Sequence, residues 1–198
     1  MSWSEVAFWS LVAVVALVWV AWRVASRLDG LHRKVAGSRG ALDAQLVRRA
    51  WAAVDLASSG GMDPASALVV VDAAYTVLDT ADPGTGEHVL AIDGLPTARE
   101  DAESNLSAAL REALGGPGEI AALRAGPAAE PTGALAAAWY RATLARRFHN
   151  EAVAQVRRVR RRWYVRVAHL PGRAPMPHTV ELDDRMPEGL DRGVGPGA

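Results

Sequence analysis

VAFWSLVAVVALVWVAW, residues 6–22, is a run of seventeen residues without a charge, and its reading decides how the rest of the chain is arranged. As a helix rising ~1.5 Å per residue it covers roughly 26 Å, the short end of what a bilayer core requires. Tryptophans lie near both ends, where an amphipathic indole suits the headgroup interface, so Val6, Trp9, Trp19 and Trp22 mark out the segment. A cleaved signal peptide would carry a basic start, a shorter apolar run and small residues before the cut. Here MSWSE holds no Lys or Arg, and Trp22-Arg23 follow the run directly. The reading is an uncleaved transmembrane anchor over residues 1–24. Arg23, Arg27, Arg33, Lys34 and Arg39 follow it, while only the amino terminus and Glu5 precede it. Cationic flanks resist translocation. This predicts a single-pass protein of the cell membrane, with its N-terminus outside and residues 25–170 cytoplasmic.

Beyond the anchor, apolar residues recur at helical spacing: Leu28, Leu31, Val35, Leu42, Leu46, Ala50, Ala53 and Leu56. They predict one long helix leaving the membrane, able to continue the anchor, and bent or ended by Ser58-Ser59-Gly60-Gly61. Asp63 as N-cap and Pro64 at the first helical position open a second helix through ASALVVVDAAYTVLD, whose VVV run would also suit a buried strand. Residues 81–96 read as a loop. Thr97 and Glu100 fit a capping box for a third helix, which carries Leu106, Leu110 and Leu114 on one stripe and stops at Gly115-Gly116-Pro117-Gly118. EIAALRA is at most a short helix. The fourth helix is the longest, roughly Ala134 to Leu170, with Leu144, Phe148, Ala152, Val156, Val159, Trp163, Val167 and Leu170 as its stripe and Pro171 at its end. Residues 171–198, rich in Pro, Gly and charge, read as extended or disordered. HTVEL within them could dock as a strand, but no partner for it is evident. The expected architecture is all-α: a transmembrane helix followed by an antiparallel bundle of long helices.

The chain has no cysteine, which excludes disulfides, zinc-thiolate sites and thiol nucleophiles. Its 22 basic residues are 21 arginines and Lys34, balanced by 22 acids, yet the charge is segregated. Between Asp55 and Glu103 there are ten acids and one arginine; between Arg141 and Arg173, ten arginines and one acid. In an antiparallel bundle these stretches could lie side by side. Exposed ion pairs add only ~0–1 kcal/mol each, so they would set register while the Leu/Val stripes supply stability.

Two stretches invite a chemical reading. In Arg146-Arg147-Phe148-His149-Asn150-Glu151-Ala152-Val153, the adjacent His149, Asn150 and Glu151 could pass for a catalytic cluster. Consecutive helical residues point about 100° apart, however, so the three cannot converge on one atom. The cluster reads as structural, with Asn150 at a boundary where it can bond across to another helix. Arg157, Arg158, Arg160, Arg161 and Arg162 form the second stretch, with Arg166 beyond. As a solvated face its arginine stems would cover apolar surface; as a docking face it would attract phosphates. Only Trp163 and Tyr164 accompany the run as aromatics, and no nucleic-acid-binding fold is recognisable, so anionic lipid is favoured over nucleic acid. The five histidines lack the spacing of a helical zinc site, and Gly115–Gly118 lacks the lysine of a phosphate loop. Asp183-Asp184 reads as a solvated pair. No nucleophile–base set converges, and no catalytic, metal or cofactor residue is expected.

Asp43-Ala44-Gln45-Leu46-Val47-Arg48-Arg49, with the anchor before it, resembles the first-helix signature of the LemA family of membrane-anchored bacterial helical-bundle proteins. Glu103-Ser104-Asn105-Leu106 resembles that family's Glu-Asn-x-Leu helix, with Ser104 where Asn is usual. Arg146–Val153 resembles its Arg-x-x-Tyr-Asn-x-x-Val segment, with His149 in the aromatic position and Asn150 matching. A second Tyr-Asn pair would fall at Val156-Arg157, and Leu170-Pro171 stands where the family has Phe-Pro. The resemblance covers about residues 1–170 and implies a LemA-like four-helix bundle beyond a single anchor, with no established activity. On this reading Gln45, Arg48, Arg49, Asn105 and Asn150 are interhelical polar contacts or a docking face. The protein is then expected to be a scaffold or interaction module whose partner is another protein. The alternative is a peripheral regulator that binds anionic lipid through the arginine run.

Overall fold

The computed structural model describes residues 3–81, 94–162 and 176–191. Five helices are present: α1 (Trp3–Ser58), α2 (Pro64–Thr80), α3 (Thr97–Leu114), α4 (Pro117–Ala125) and α5 (Ala129–Arg160). Among the described residues there is no strand. The apolar N-terminal segment and the first bundle helix are one unbroken element of 56 residues, about 84 Å long at 1.5 Å per residue. Its first part is long and apolar enough to cross a membrane, and the apolar window is wholly unburied.

Packing begins at Leu31 and proceeds in three zones along α1. Nearest the apolar window, Val35 meets Ala152, Val153 and Val156 of α5, while Leu42 further on meets Ala142, so α5 runs antiparallel to α1. Midway, Leu42 and Leu46 meet Ala142 of α5 and Val180 from the C-terminal segment. At the far end the α2–α3 hairpin joins, and Ala50, Ala53, Leu56, Val70, Val77, Leu106, Leu110, Leu114, Leu135 and Trp139 form the main core. Trp51 and Tyr75 meet edge-on across α1 and α2, their ring centroids 6.3 Å apart.

Local signals explain the element boundaries. The Asp63 carboxylate accepts from Ser66 N at 3.0 Å with Pro64 at the first helical position, as expected. The VVV run is helical, with Val70 fully buried. Gly115, at φ 57°, ends α3 in a conformation that side chains resist.

Four expectations are corrected. The capping box does not form: Pro96 is the N-cap of α3, its carbonyl accepting from Arg99 N and Glu100 N, and Glu100 turns elsewhere. The last helix ends at Arg160, not Leu170, and Arg161-Arg162 lie in a turn. Trp163, Val167, Leu170, Pro171 and Arg166 fall outside the described residues, as does most of the 81–96 loop. The expected stripe of α5 is also rotated. Phe148 is 59% exposed and Leu144 37%, whereas His149 is fully buried with Ala142, Val153 and Val156. Finally, residues 176–191 are not an unstructured tail. They form an extended strap that runs back along α5 and ends in a turn over α4, where Gly189 (φ 93°) leaves room for Pro117. Pro177, Val180, Pro187 and Leu190 of the strap are buried.

Candidate functional site

The strap lies between α3 and α5, touching Glu100 and Ser104 of the one and Arg146 and Asn150 of the other, and the bundle holds it chiefly by its backbone. Arg157 Nε donates to Pro177 O at 2.9 Å. Asn150 clamps Val180 from both sides: Nδ2 donates to Val180 O at 3.0 Å, and Oδ1 accepts from Val180 N at 2.9 Å. Glu100 Oε1 accepts from Glu181 N at 3.0 Å, and Ser104 Oγ accepts from Asp183 N at 3.1 Å. Further along, Trp139 Nε1 donates to Asp184 O at 2.9 Å and Arg124 Nη2 to Leu190 O at 2.8 Å. The missing partner for HTVEL is therefore a ladder of side chains, the Asn150 amide above all. An amide side chain offers the same donor–acceptor pair as a neighbouring strand.

Two strap carboxylates are read individually. Arg146 grips Asp184 in a bidentate pair, both contacts at 2.8 Å, and Arg111 Nη2 meets Asp183 at 2.7 Å. Asp183-Asp184 is thus a paired element and not a solvated one. Partial burial opposes the Asp183 charge, but the Arg185 backbone amide and Arg111 outweigh it and hold the carboxyl below its usual pKa. The Asp183 contribution is therefore present above the ordinary carboxylate pKa and is lost as pH falls through the lowered one. Glu100 is shifted the other way, chiefly by burial.

Beneath the strap is a buried ionic cluster that joins α1, α2 and α3. Arg49 Nη2 donates to Glu103 Oε2 at 2.6 Å and to Glu103 O at 3.0 Å, while its Nη1 reaches Ser107 Oγ at 3.0 Å. Arg99 Nη2 lies 3.1 Å from Glu103 Oε1 and 3.4 Å from Asp43 Oδ1, and its Nη1 donates to Val77 O. The Arg49 guanidinium sits 5.0 Å from the Trp139 ring centroid, a cation–π contact in a dry setting. Arg99 and Ser107 escaped sequence reasoning and Glu103 entered only as part of the Glu103–Leu106 resemblance, although Arg99, Glu103, Leu106 and Leu110 share one α3 face at spacings of three and four. Charges on an apolar stripe were the available signal.

Of the other expected residues, Arg48 and Asn105 are exposed. Gln45 is half-buried, and its Oε1 is without a hydrogen-bond partner among the described residues. Asn150 bonds to the strap and not across to a helix. Within the arginine run, Arg157 is committed to the strap, Arg160 is half-buried, and Arg158, Arg161 and Arg162 are exposed. Glu103, from the acidic stretch, pairs with Arg49 and Arg99, and Arg146, from the basic stretch, finds its acid in the strap, so the two segregated stretches are not linked through these residues. Val6, Trp9, Trp19 and Trp22 are all exposed on α1. Among the described residues no group of His, Cys, Asp or Glu could hold a metal ion.

His149, Asn150 and Glu151 diverge. His149 points into the seam with α1, where its Nδ1 lies 3.1 Å from Ser38 Oγ. Burial lowers its pKa; the nearby His178 backbone works against this, and Arg39 adds to it. His32 is lowered too, by burial and by Arg160, with Asp29 opposing. A histidine held neutral in the fold contributes stability that is present above its unfolded pKa and lost as pH falls towards the depressed folded value. Melting temperature is therefore expected to fall between pH 7.5 and 5.5. A His149→Leu variant should flatten part of that slope and leave the His32 share. Thermal melts across this range check it, and an unchanged slope would contradict the assignment.

Comparison of the chain with protein-family models, curated proteins and solved structures finds no match.

Proposed function

We propose that the chain is a single-pass, membrane-anchored helical bundle of LemA-like type, with its bundle on the cytoplasmic side, acting as a scaffold or protein-interaction module without catalytic activity. One observation carries this reading: α1 leaves an apolar, tryptophan-flanked window wholly unburied, while the same helix from Val35 onward is packed. Burying that window in lipid removes a large apolar surface from water at ~25 cal/mol per Å². The test is direct. The full chain should stay in the membrane pellet through alkaline carbonate extraction. Because it has no cysteine, single reporters at Ser2→Cys and Ser58→Cys can be labelled cleanly. An impermeant maleimide added to intact cells should reach the first and spare the second; the reverse pattern would overturn the orientation.

A second reading, contact with anionic lipid, is favoured by where α5 ends. Val156 packs beside Val35 and Leu31, and Leu31 is only nine residues from Trp22, about 13 Å along the helix. The exposed Arg158, Arg161 and Arg162 thus lie at the anchor end of the bundle. Near an anionic leaflet each is worth ~1 kcal/mol. In nanodiscs with one-third phosphatidylglycerol, amide exchange at residues 157–162 should slow relative to pure phosphatidylcholine. Replacing Arg158, Arg161 and Arg162 with Gln should erase the difference.

A further inference from the structure

We infer that the α3–α5 groove is a peptide-binding site, that residues 176–191 are its resident ligand in cis, and that its ligand in trans is an extended acidic segment of a partner protein. The inference deepens the interaction-module reading above and rests on it. Three observations carry it. First, recognition is of peptide type. The strap is neither helix nor strand, and the groove meets its backbone at Pro177, Val180, Glu181, Asp183, Asp184 and Leu190 with side chains alone. Such contacts accept any extended chain that fits, whichever polypeptide supplies it. Second, the groove carries readers for particular side chains. The Leu42–Leu46–Ala142 notch takes Val180, and Arg111 and Arg146 take the consecutive carboxylates of Asp183 and Asp184. The matching ligand presents apolar-x-apolar-Asp-Asp. Third, the charge is complementary: Arg111 and Arg146 pair with Asp183 and Asp184, Arg124 and Arg157 donate to the Leu190 and Pro177 carbonyls, and the strap bears five acids (Glu181, Asp183, Asp184, Glu188, Asp191) against one arginine, Arg185. The strap is held by partly exposed polar contacts worth ~1 kcal/mol apiece and by burial of Val180 and Leu190, so a competing segment must present apolar residues at those places as well as the acids.

The experiment uses detergent-solubilised full chain and a fluorescent peptide with the sequence of residues 176–191. Weakening the resident strap with Val180→Ser, Asp183→Asn and Asp184→Asn should raise peptide affinity at least tenfold over the unaltered chain. Adding Arg146→Gln and Asn150→Ala to that background should remove the gain, and a scrambled peptide should not bind. Equal binding to the unaltered and weakened chains, or none to either, overturns the site. Should the weakened chain fail to fold, hydrogen exchange on the unaltered chain decides. Amides at Val180, Glu181 and Asp183 should open faster than the α1–α5 core, whereas exchange only at the global unfolding rate makes the strap a permanent part of the core and ends the proposal. Dimers formed by strap exchange would assign the ligand to a second copy and overturn the partner-protein assignment. None of these readouts requires a membrane, so a failed titration leaves the carbonate result standing, and the reverse holds too.

Discussion

Replacing Glu103 with alanine is expected to cost about 3–5 kcal/mol, among the largest losses of any single substitution in the bundle. Glu103 is fully buried and is the acid shared by two fully or almost fully buried arginines, Arg49 and Arg99. Removing it does more than delete attraction. Two guanidiniums remain inside a low-dielectric core, and only Asp43, Ser107 and backbone carbonyls are left to meet them. For a chain of this size the loss corresponds to a fall in melting temperature of roughly 10 °C or more. Glu103→Gln keeps an acceptor oxygen and should lose less. A loss under ~1 kcal/mol for the alanine variant, read from urea midpoints, would mean that water reaches the cluster.

Trp139→Ala comes second, at about 3–5 kcal/mol, the range for truncating a large buried aromatic ring. Trp139 is completely buried in the main core, covers the Arg49 guanidinium and ties down the strap through Asp184 O. Trp139→Phe separates these roles. It keeps most of the apolar volume and drops one hydrogen bond, worth ~1 kcal/mol, together with part of the cation–π contact. The phenylalanine variant should therefore stay near the parent in urea unfolding while amide exchange quickens at Asp184 and Arg185. The alanine variant should shift both. Equal unfolding midpoints for the two variants would remove packing as the cause.

What could be read from sequence was whatever depends on neighbours along the chain. The uncharged run at 6–22, the α1 stripe through Leu56, the Asp63–Pro64 helix start, the Leu106–Leu110–Leu114 stripe and the Gly115 stop are all set by local periodicity or capping. The α5 face was not. Steps of three and four fit both Leu144–Phe148–Ala152–Val156 and Ala142–Ala145–His149–Val153–Val156, and an alanine-rich helix gives little size contrast to choose between them. Hydrophobicity favoured Phe148; the structure buries His149, whose ring meets Ser38. The strap was illegible for another reason. An extended segment carries no helical period, and its partners at Asn150, Arg146, Ser104 and Arg111 are 30 to 79 residues away in the sequence. Likewise, Arg49 and Glu103 have the composition of a surface, and only their pairing across 54 positions makes them interior.

The unbroken course of α1 has a mechanical consequence. From Trp22 to Ser58 the helix extends about 54 Å with no break between its apolar window and the bundle. With that window in a bilayer, as proposed, the bundle would not swivel on its anchor, and each 10° of tilt would swing its far end by ~9 Å. On the proposed topology, membrane thickness itself would set how far from the leaflet, and at what angle, the groove over α3 and α5 is presented.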